Sequence, residues 1–304
     1  MLDLISLGTI AIDIYYKGAS LTEDGERFEL AVGGKYFVDH FYECLGGGAA
    51  NVAIGVTRAG LSAGLIAKIG ENPFKKLILE KLDTAGIRYK QLCQMEEDYI
   101  NISSVLLSKS GEKTVVNYRT PHQSFAHTQE EFEKLLHAKN IYMANLSQVS
   151  LTERIDMLQF AKKHDIRVFA NLNVTDCRRP LEQLIHFFRY VDVTIINGYE
   201  FADIVKTPYE TIDFDTNIVE KYAPFHAEDV LVITDGKKGS YAYHDGKIYR
   251  QPALHAKEVL DTTGAGDAYT AGFIASYIKT QDIRESMKAG AEYAVTIIEK
   301  IGAN

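Results

Sequence analysis

Short apolar runs and amphipathic stretches take turns along the second half of the chain. IYMANLS at 141–147 reads as a strand, LTERIDMLQFAKKHD at 151–165 as a helix, IRVFANL at 166–172 as a strand and PLEQLIHFFRY at 180–190 as a helix. VDVTIIN at 191–197, a short helix from Tyr199, DVLVIT at 229–234 and a helix after Asp267 continue the rhythm. Runs rich in β-branched residues, spaced by amphipathic helices, predict a parallel sheet covered on both faces. Ligands of such sheets bind beyond the carboxyl ends of the strands. Polar residues gather there: Asp13 after LISLGTIAI, Asn145 after IYMA, Asn171 after RVFA, Asn197 after VTII, and Thr234-Asp235 after VLVI.

The first 120 residues break this rhythm. RFELAVGGKYFVDHFYECL at 27–45 alternates polar and apolar positions, and NISSVLLS at 101–108 faces KTVVNYR at 113–119 across KSGEK, a hairpin turn. These pieces predict a small accessory sheet formed by insertions at about 14–45 and 98–120. The reading is a lid on one domain spanning 1–304; an edge hairpin with no such role is the plainer alternative.

Composition narrows the function classes. The chain has 304 residues, enough for a large core, and a net charge of −8 without a basic stripe, which argues against nucleic acid or an anionic membrane as partner. The opening MLDLISLGTI lacks a basic leader and carries Asp3, so it reads as a first strand over 3–8, and no apolar run approaches a membrane span. Cys44, Cys93 and Cys177 are scattered and read as thiols of a reducing cytoplasm; His122 and His127 read as solvated loop residues.

Chemistry concentrates in two glycine clusters. In DTTGAGDAYTAGF, 261–273, glycines precede an acid at a predicted helix start, where free N–H groups and the helix dipole favour an anion. Asp267 is then either a helix N-terminal acid or a base that takes a proton from a hydroxyl attacking a bound phosphate. The second cluster, LGGGAANVAIGVTRAG at 45–60, lacks the context of a dinucleotide fingerprint, because the turn after the first strand is Gly8-Thr9-Ile10. Its glycines let backbone approach a small polar ligand, and Asn51 stands one helical turn on.

Asp13, GGGAANVA at 46–53, NGYE at 197–200, TDGKKG at 234–239 and DTTGAGD at 261–267 occur in this order over nearly the whole chain. The chain resembles the PfkB (ribokinase-like) carbohydrate kinases. The resemblance implies a three-layer α/β/α domain with a mostly parallel central sheet and a small β-sheet lid. It implies that Asp13, Gly47, Gly48 and Asn51 hold sugar hydroxyls. Asn197 and Glu200 act through water on a Mg²⁺ that bridges ATP phosphates, while Thr234, Gly236, Gly239 and Thr262 line the nucleotide. Gly264, Ala265 and Gly266 form an anion hole, with Asp267 as catalytic base. Asp261 and Thr263 match positions that offer oxygens to a monovalent cation such as K⁺ in many relatives, and the other half of that site falls near Gly302.

The acceptor is less defined. Relatives that take ribose place an acid where this chain has Asn145-Leu146-Ser147, so Asn145 faces a different acceptor. NYRTP at 117–121 resembles the aromatic-Arg pair of fructokinases and 2-keto-3-deoxygluconate kinases, so Arg119 can pair with a substrate carboxylate or phosphate, or lie as an exposed strand residue. The reading is a hexose or keto-sugar (acid) kinase in the cytoplasm, a homodimer through the lid. A nucleoside kinase, a catalytically dead sugar sensor and an oxidoreductase are the alternatives. The intact Asp267 opposes the sensor, and the first strand's turn opposes the oxidoreductase.

Overall fold

Each run read as a strand after residue 140 forms one; the first two stop short, at Met143 and Ala170, and the next two extend to Asn197 and Thr234. The computed structural model describes residues 1–304 except 26, 109–111, 122–127 and 147–148, so His122, His127, Ser147 and most of the KSGEK turn lie outside the described residues. The main strands before residue 140, those of the two larger sheets, are β1 (Leu4–Leu7), β2 (Ala11–Lys17), β3 (His40–Gly46), β4 (Ala63–Ile66), β5 (Asn101–Leu107) and β6 (Lys113–Arg119). After it come β7 (Asn140–Met143), β8 (Arg167–Ala170), β9 (Val193–Asn197), β10 (Val230–Thr234), β11 (Ser240–His244) and β12 (Lys247–Gln251). The main helices are α1 (Gly48–Arg58), α2 (Lys75–Thr84), α3 (Leu151–Lys163), α4 (Leu181–Phe188), α5 (Gly198–Val205), α6 (Ala265–Thr280) and α7 (Ile283–Ile298).

Eight strands form the central sheet in the order β12-β11-β10-β9-β8-β7-β1-β4, parallel from β10 to β4 and antiparallel at the β11–β12 edge. That edge hairpin turns on Asp245-Gly246, both at positive φ, as a two-residue turn of the Asp-Gly kind demands. Successive strand residues go to opposite cores. Ile141 and Met143 pack with Leu158, Phe187 and Phe201 of α3, α4 and α5. Tyr142 and Phe169 pack with Val52, Leu82, Phe273 and Met287 of α1, α2, α6 and α7. Burial on both faces is why these strands read as continuous apolar runs. The result is a three-layer α/β/α molecule. Among the described residues no helix is long and apolar enough to cross a membrane.

The second sheet has four strands in the order β6-β5-β2-β3. It claims only the end of the alternating stretch at 27–45: Arg27–Phe28 makes a short ladder with Glu23–Asp24, and β3 starts at His40. Between them Val32 stands fully in solvent, so alternation there has no surface to pack against. Asp13, expected at the carboxyl end of the first strand, instead lies inside β2, opposite Cys44 and Ser103. β1 ends at Leu7, and the chain turns through Gly8 before it starts the small sheet.

Candidate active site

Cross-strand register sets what each face of the small sheet carries. Asp13, Ser103 and Asn117 share one face, with Arg119 two residues along on β6. Asp13 is 7% exposed. Burial pushes its carboxyl above the usual range, and the Ser103 hydroxyl and the Arg119 charge oppose that rise. Arg119 is half-buried: its Nη2 donates to Ser103 Oγ (3.1 Å) and its Nη1 to the Ile102 carbonyl (3.0 Å). The guanidinium therefore turns to the Asp13 face rather than into solvent. A Cβ at Gly46 would collide with the Asp13 carboxylate, and one at Gly47, where φ is 94°, with the Thr9 carbonyl. The glycines let β3 and the start of α1 close on Asp13 and Thr9.

Asn51 reaches across to the second cluster. Its Nδ2 donates to Asp267 Oδ2 (2.8 Å), and its Oδ1 accepts from Asn304 Nδ2 (2.7 Å). A Cβ built at Gly48 would sit 3.4 Å from Asp267 Oδ1, so the start of α1 lies against the carboxylate. Burial raises the Asp267 pKa, the Asn51 amide lowers it and the Asp13 charge adds to the rise. Such an acid is a stronger base than an exposed aspartate.

The loop before Asp267 is built to start a helix. Gly264 is the N-cap of α6 at φ 76°, a left-handed conformation, and a Cβ there would strike Ala303. Ala265 opens the helix, and Ala268 N–H closes its first hydrogen bond on the Gly264 carbonyl (2.8 Å). The N–H groups of the first turn have no acceptor within the helix, and a Cβ at Gly266 would meet nothing within 4 Å. Ala265 N–H donates to the Thr262 carbonyl (3.3 Å), which leaves the next N–H groups, of Gly266 and Asp267, as donors at a positive dipole end, suited to a phosphoryl group.

A third group lies across Tyr142, whose buried phenol feels the charges of both Asp267 and Glu200. Asn197 ends β9 and caps α5: its Oδ1 accepts from Glu200 N–H (2.9 Å), and Glu200 Oε2 accepts from Asn197 N–H (2.8 Å). The reciprocal cap fixes both side chains at the strand end. Burial pushes the Glu200 carboxyl up to about 7 against that hydrogen bond. A carboxylate in need of a counter-charge suits a hydrated dication, which is held through its waters by such oxygens. Thr234 is the strand partner of Asn197, and Gly236 and Gly239, both at positive φ, shape the turn that follows β10.

Asn145 is exposed after β7, where its Oδ1 accepts from Asn173 Nδ2 (2.9 Å). The same Asn173 amide touches Asp176, which pairs with the buried Arg154 (2.7 and 2.8 Å). Thr262, expected beside the nucleotide, accepts at its hydroxyl oxygen from Lys113 Nζ (3.2 Å). Asp261 and Thr263, expected to hold K⁺, also face the Lys113 ammonium, at 3.0 and 2.6 Å. A K⁺ bound to the same oxygens would meet the repulsion of that charge. Sequence reasoning missed Lys113, Ser103, Asn173 and Asn304. Lys113 and Arg119 begin and end the same strand on the same face, which the alternation of KTVVNYR carries.

Central strand order, a small sheet at one side and a glycine-opened helix start that meets a carboxylate place the molecule among α/β kinases of ribokinase-like fold. The chain belongs to the family described as pfkB family carbohydrate kinase, whose model matches residues 1–304. It is a phosphotransferase with an alcohol group as acceptor. It is 27% identical to 5-dehydro-2-deoxygluconokinase 2 of Bacillus cereus, over 98% of this chain and 90% of that one. It is 25% identical to a nucleoside kinase of Methanocaldococcus jannaschii, over 97% and 90%. Ribokinase of Arabidopsis thaliana, solved with ribose and ATP, superposes with a TM-score of 0.81 at 21% identity, covering 99% of this chain and 94% of that one.

Proposed function

We propose that the chain transfers the γ-phosphoryl group of ATP to the hydroxymethyl group of a keto-sugar or keto-sugar acid. The observation that carries this reading is the hydrogen-bonded line from Asn51 to Asp267, set directly over the open helix start at Gly264–Gly266. Asp267 accepts the proton of the acceptor hydroxyl while the hydroxyl oxygen bonds to phosphorus. The bond from phosphorus to the bridging oxygen of ADP breaks, and the first-turn N–H groups bind the charge that builds on the transferring group. Asp13 and Asn51 orient the sugar, with Gly47 and Gly48 allowing the backbone close. Asn197 and Glu200 fit a Mg²⁺ held through water, which neutralises phosphate charge when bound. The inner face of the small sheet covers the acceptor as a lid.

Arg119 supports an acceptor with an anionic or oxygen-rich end, since its guanidinium donates to Ser103 and its charge is felt at Asp13. A 5-dehydro-2-deoxygluconate kinase among the relatives agrees with this choice. The other face of the small sheet carries Ile14, Tyr16, Phe41, Leu106, Val116 and Tyr118, with Phe41, Val116 and Tyr118 more than half exposed. This apolar surface supports pairing with a second copy. Three cysteines without a disulfide fit a reducing compartment, the cytoplasm.

ADP release with Mg-ATP and a panel of acceptors tests the reading. Keto-deoxy sugars and fructose should give the highest kcat/KM, with D-ribose and nucleosides far below. Preference for adenosine or inosine would move the chain to the nucleoside kinases, and ADP release that no acceptor stimulates would contradict the proposal.

A further inference from the structure

The oxygens that the family resemblance assigns to a monovalent cation already face a charge supplied by this chain. Lys113, the first residue of β6, extends from the inner face of the small sheet to the base of the phosphoryl-binding loop. Its Nζ lies 3.0 Å from Asp261 Oδ1, 2.6 Å from Thr263 Oγ1 and 3.2 Å from Thr262 Oγ1. The Asp261 side chain is fully shielded and that of Lys113 only 26% exposed, so the pair is not a solvated surface contact. Asp261 Oδ1 also accepts from the Thr263 N–H (2.8 Å) and hydroxyl (2.6 Å), and Oδ2 from the Gly302 N–H (3.1 Å). Burial alone would raise the Asp261 pKa, but these hydrogen bonds and the ammonium bring it below the usual carboxylate range.

We propose that Lys113 is a built-in cation for the phosphoryl-binding loop, a positioning residue that replaces the K⁺ site and makes turnover independent of monovalent cations. This rests on the reading of residues 264–267 as the phosphoryl-binding loop. One ammonium matches one buried carboxylate, so no residual negative charge draws in a second cation. A K⁺ on the same three oxygens would lie against Nζ, where like charges in a poorly hydrated site repel strongly. The charge has a local use. Asp261 ties residues 261–263 to Gly302, next to Ala303, against which Gly264 packs. Left unpaired, the carboxylate would set a negative potential beside an approaching phosphate and release the ties that fix the helix start. Because the lysine belongs to the small sheet, its charge reaches the loop only with that sheet in place. Lys113, with Arg119 at the other end of β6, gives the sheet one cation for the phosphoryl side and one for the acceptor side.

The test compares wild-type enzyme and Lys113→Met in potassium, sodium, ammonium and choline chloride at fixed ionic strength, by turnover and by thermal melting without substrates. Wild type should show the same kcat and the same melting temperature in all four. Lys113→Met should lose roughly 10²-fold in kcat in choline, the scale of a misplaced reacting geometry. It should recover in potassium or ammonium, and those two cations alone should raise its melting temperature. K⁺ activation of the wild type would overturn the proposal, and that arm needs no variant. A Lys113→Met loss that no cation restores, or an unchanged kcat in choline, would overturn it as well. Normal turnover by Asp267→Asn would instead defeat the reading of the loop itself, whatever the cation profile.

Discussion

Glu200 is held between two demands: its carboxylate caps a backbone N–H, which favours the ionised form, and burial disfavours that form more strongly, leaving its pKa near 7. An acid raised in the folded state favours the fold at low pH. This contribution falls as pH rises from the ordinary carboxylate range to about 7, and is level above it. A dication nearby reverses the preference, so metal and proton compete at this site. The Mg²⁺ concentration for half-maximal rate should therefore fall by about tenfold per pH unit below neutrality and level off above. In Glu200→Gln that pH dependence should vanish, the Mg²⁺ requirement should rise and the fold should lose its sensitivity in the same window. A Mg²⁺ titration at several pH values checks this, and an unchanged profile in the variant would limit Glu200 to capping. Its pairing with Asn197 was legible in NGYE, where side chains three apart are those of a reciprocal cap. Asp13 was legible as a candidate residue and misplaced in the fold. Gly8-Thr9-Ile10 makes a turn between two strands that are both apolar, so nothing in the pattern separates them.

At the scale of elements, the strands of the central sheet were readable because both of their faces are buried. The small sheet was readable only in part, because one of its faces serves polar chemistry and the other is apolar and exposed. On β6 the usual sense of alternation is inverted. Lys113, Asn117 and Arg119 face the site, while Val116 and Tyr118 face outward at 65% and 54% exposure. An apolar outer face on a sheet calls for a cover, and self-pairing gives one. Light scattering at micromolar concentration should return the mass of a dimer, and Val116→Lys with Tyr118→Lys should return a monomer. A monomeric wild type would leave this face without the proposed partner. The β11–β12 edge escaped the pattern reading although SYAYHDGKIYR carries an Asp-Gly turn between alternating runs, a plain hairpin signal. The small residues of α6 pack closely, and Gly272 shows the reason. A Cβ there would lie 2.6 Å from the Ala289 carbonyl oxygen and 2.9 Å from Gly290 Cα, so α6 and α7 touch backbone to backbone.

Across the whole molecule, distant parts of the chain converge on Asp267 and on the loop that precedes it. Asn51 arrives on α1, Ala144 follows β7, Lys113 descends from the small sheet, and Asn304 closes over Asn51 and the Leu45 carbonyl. Motifs announced the parts that a phosphate demands of the backbone, since glycine is the residue for which local geometry and sequence agree. They did not announce Lys113 or Asn304, whose contacts exist only after segments 148 to 253 residues apart are packed. The central claim is that this convergence makes Asp267 a base rather than a helix-capping acid, and Asp267→Asn separates the two. Asn caps a helix about as well as Asp and keeps the shape. The decisive measurement is kcat for the folded Asp267→Asn enzyme with the best acceptor, alongside calorimetric binding of ATP and acceptor. The account predicts near-normal binding and a kcat lower by roughly 10²–10⁴, with KM little changed. A folded variant with near-normal kcat would contradict it.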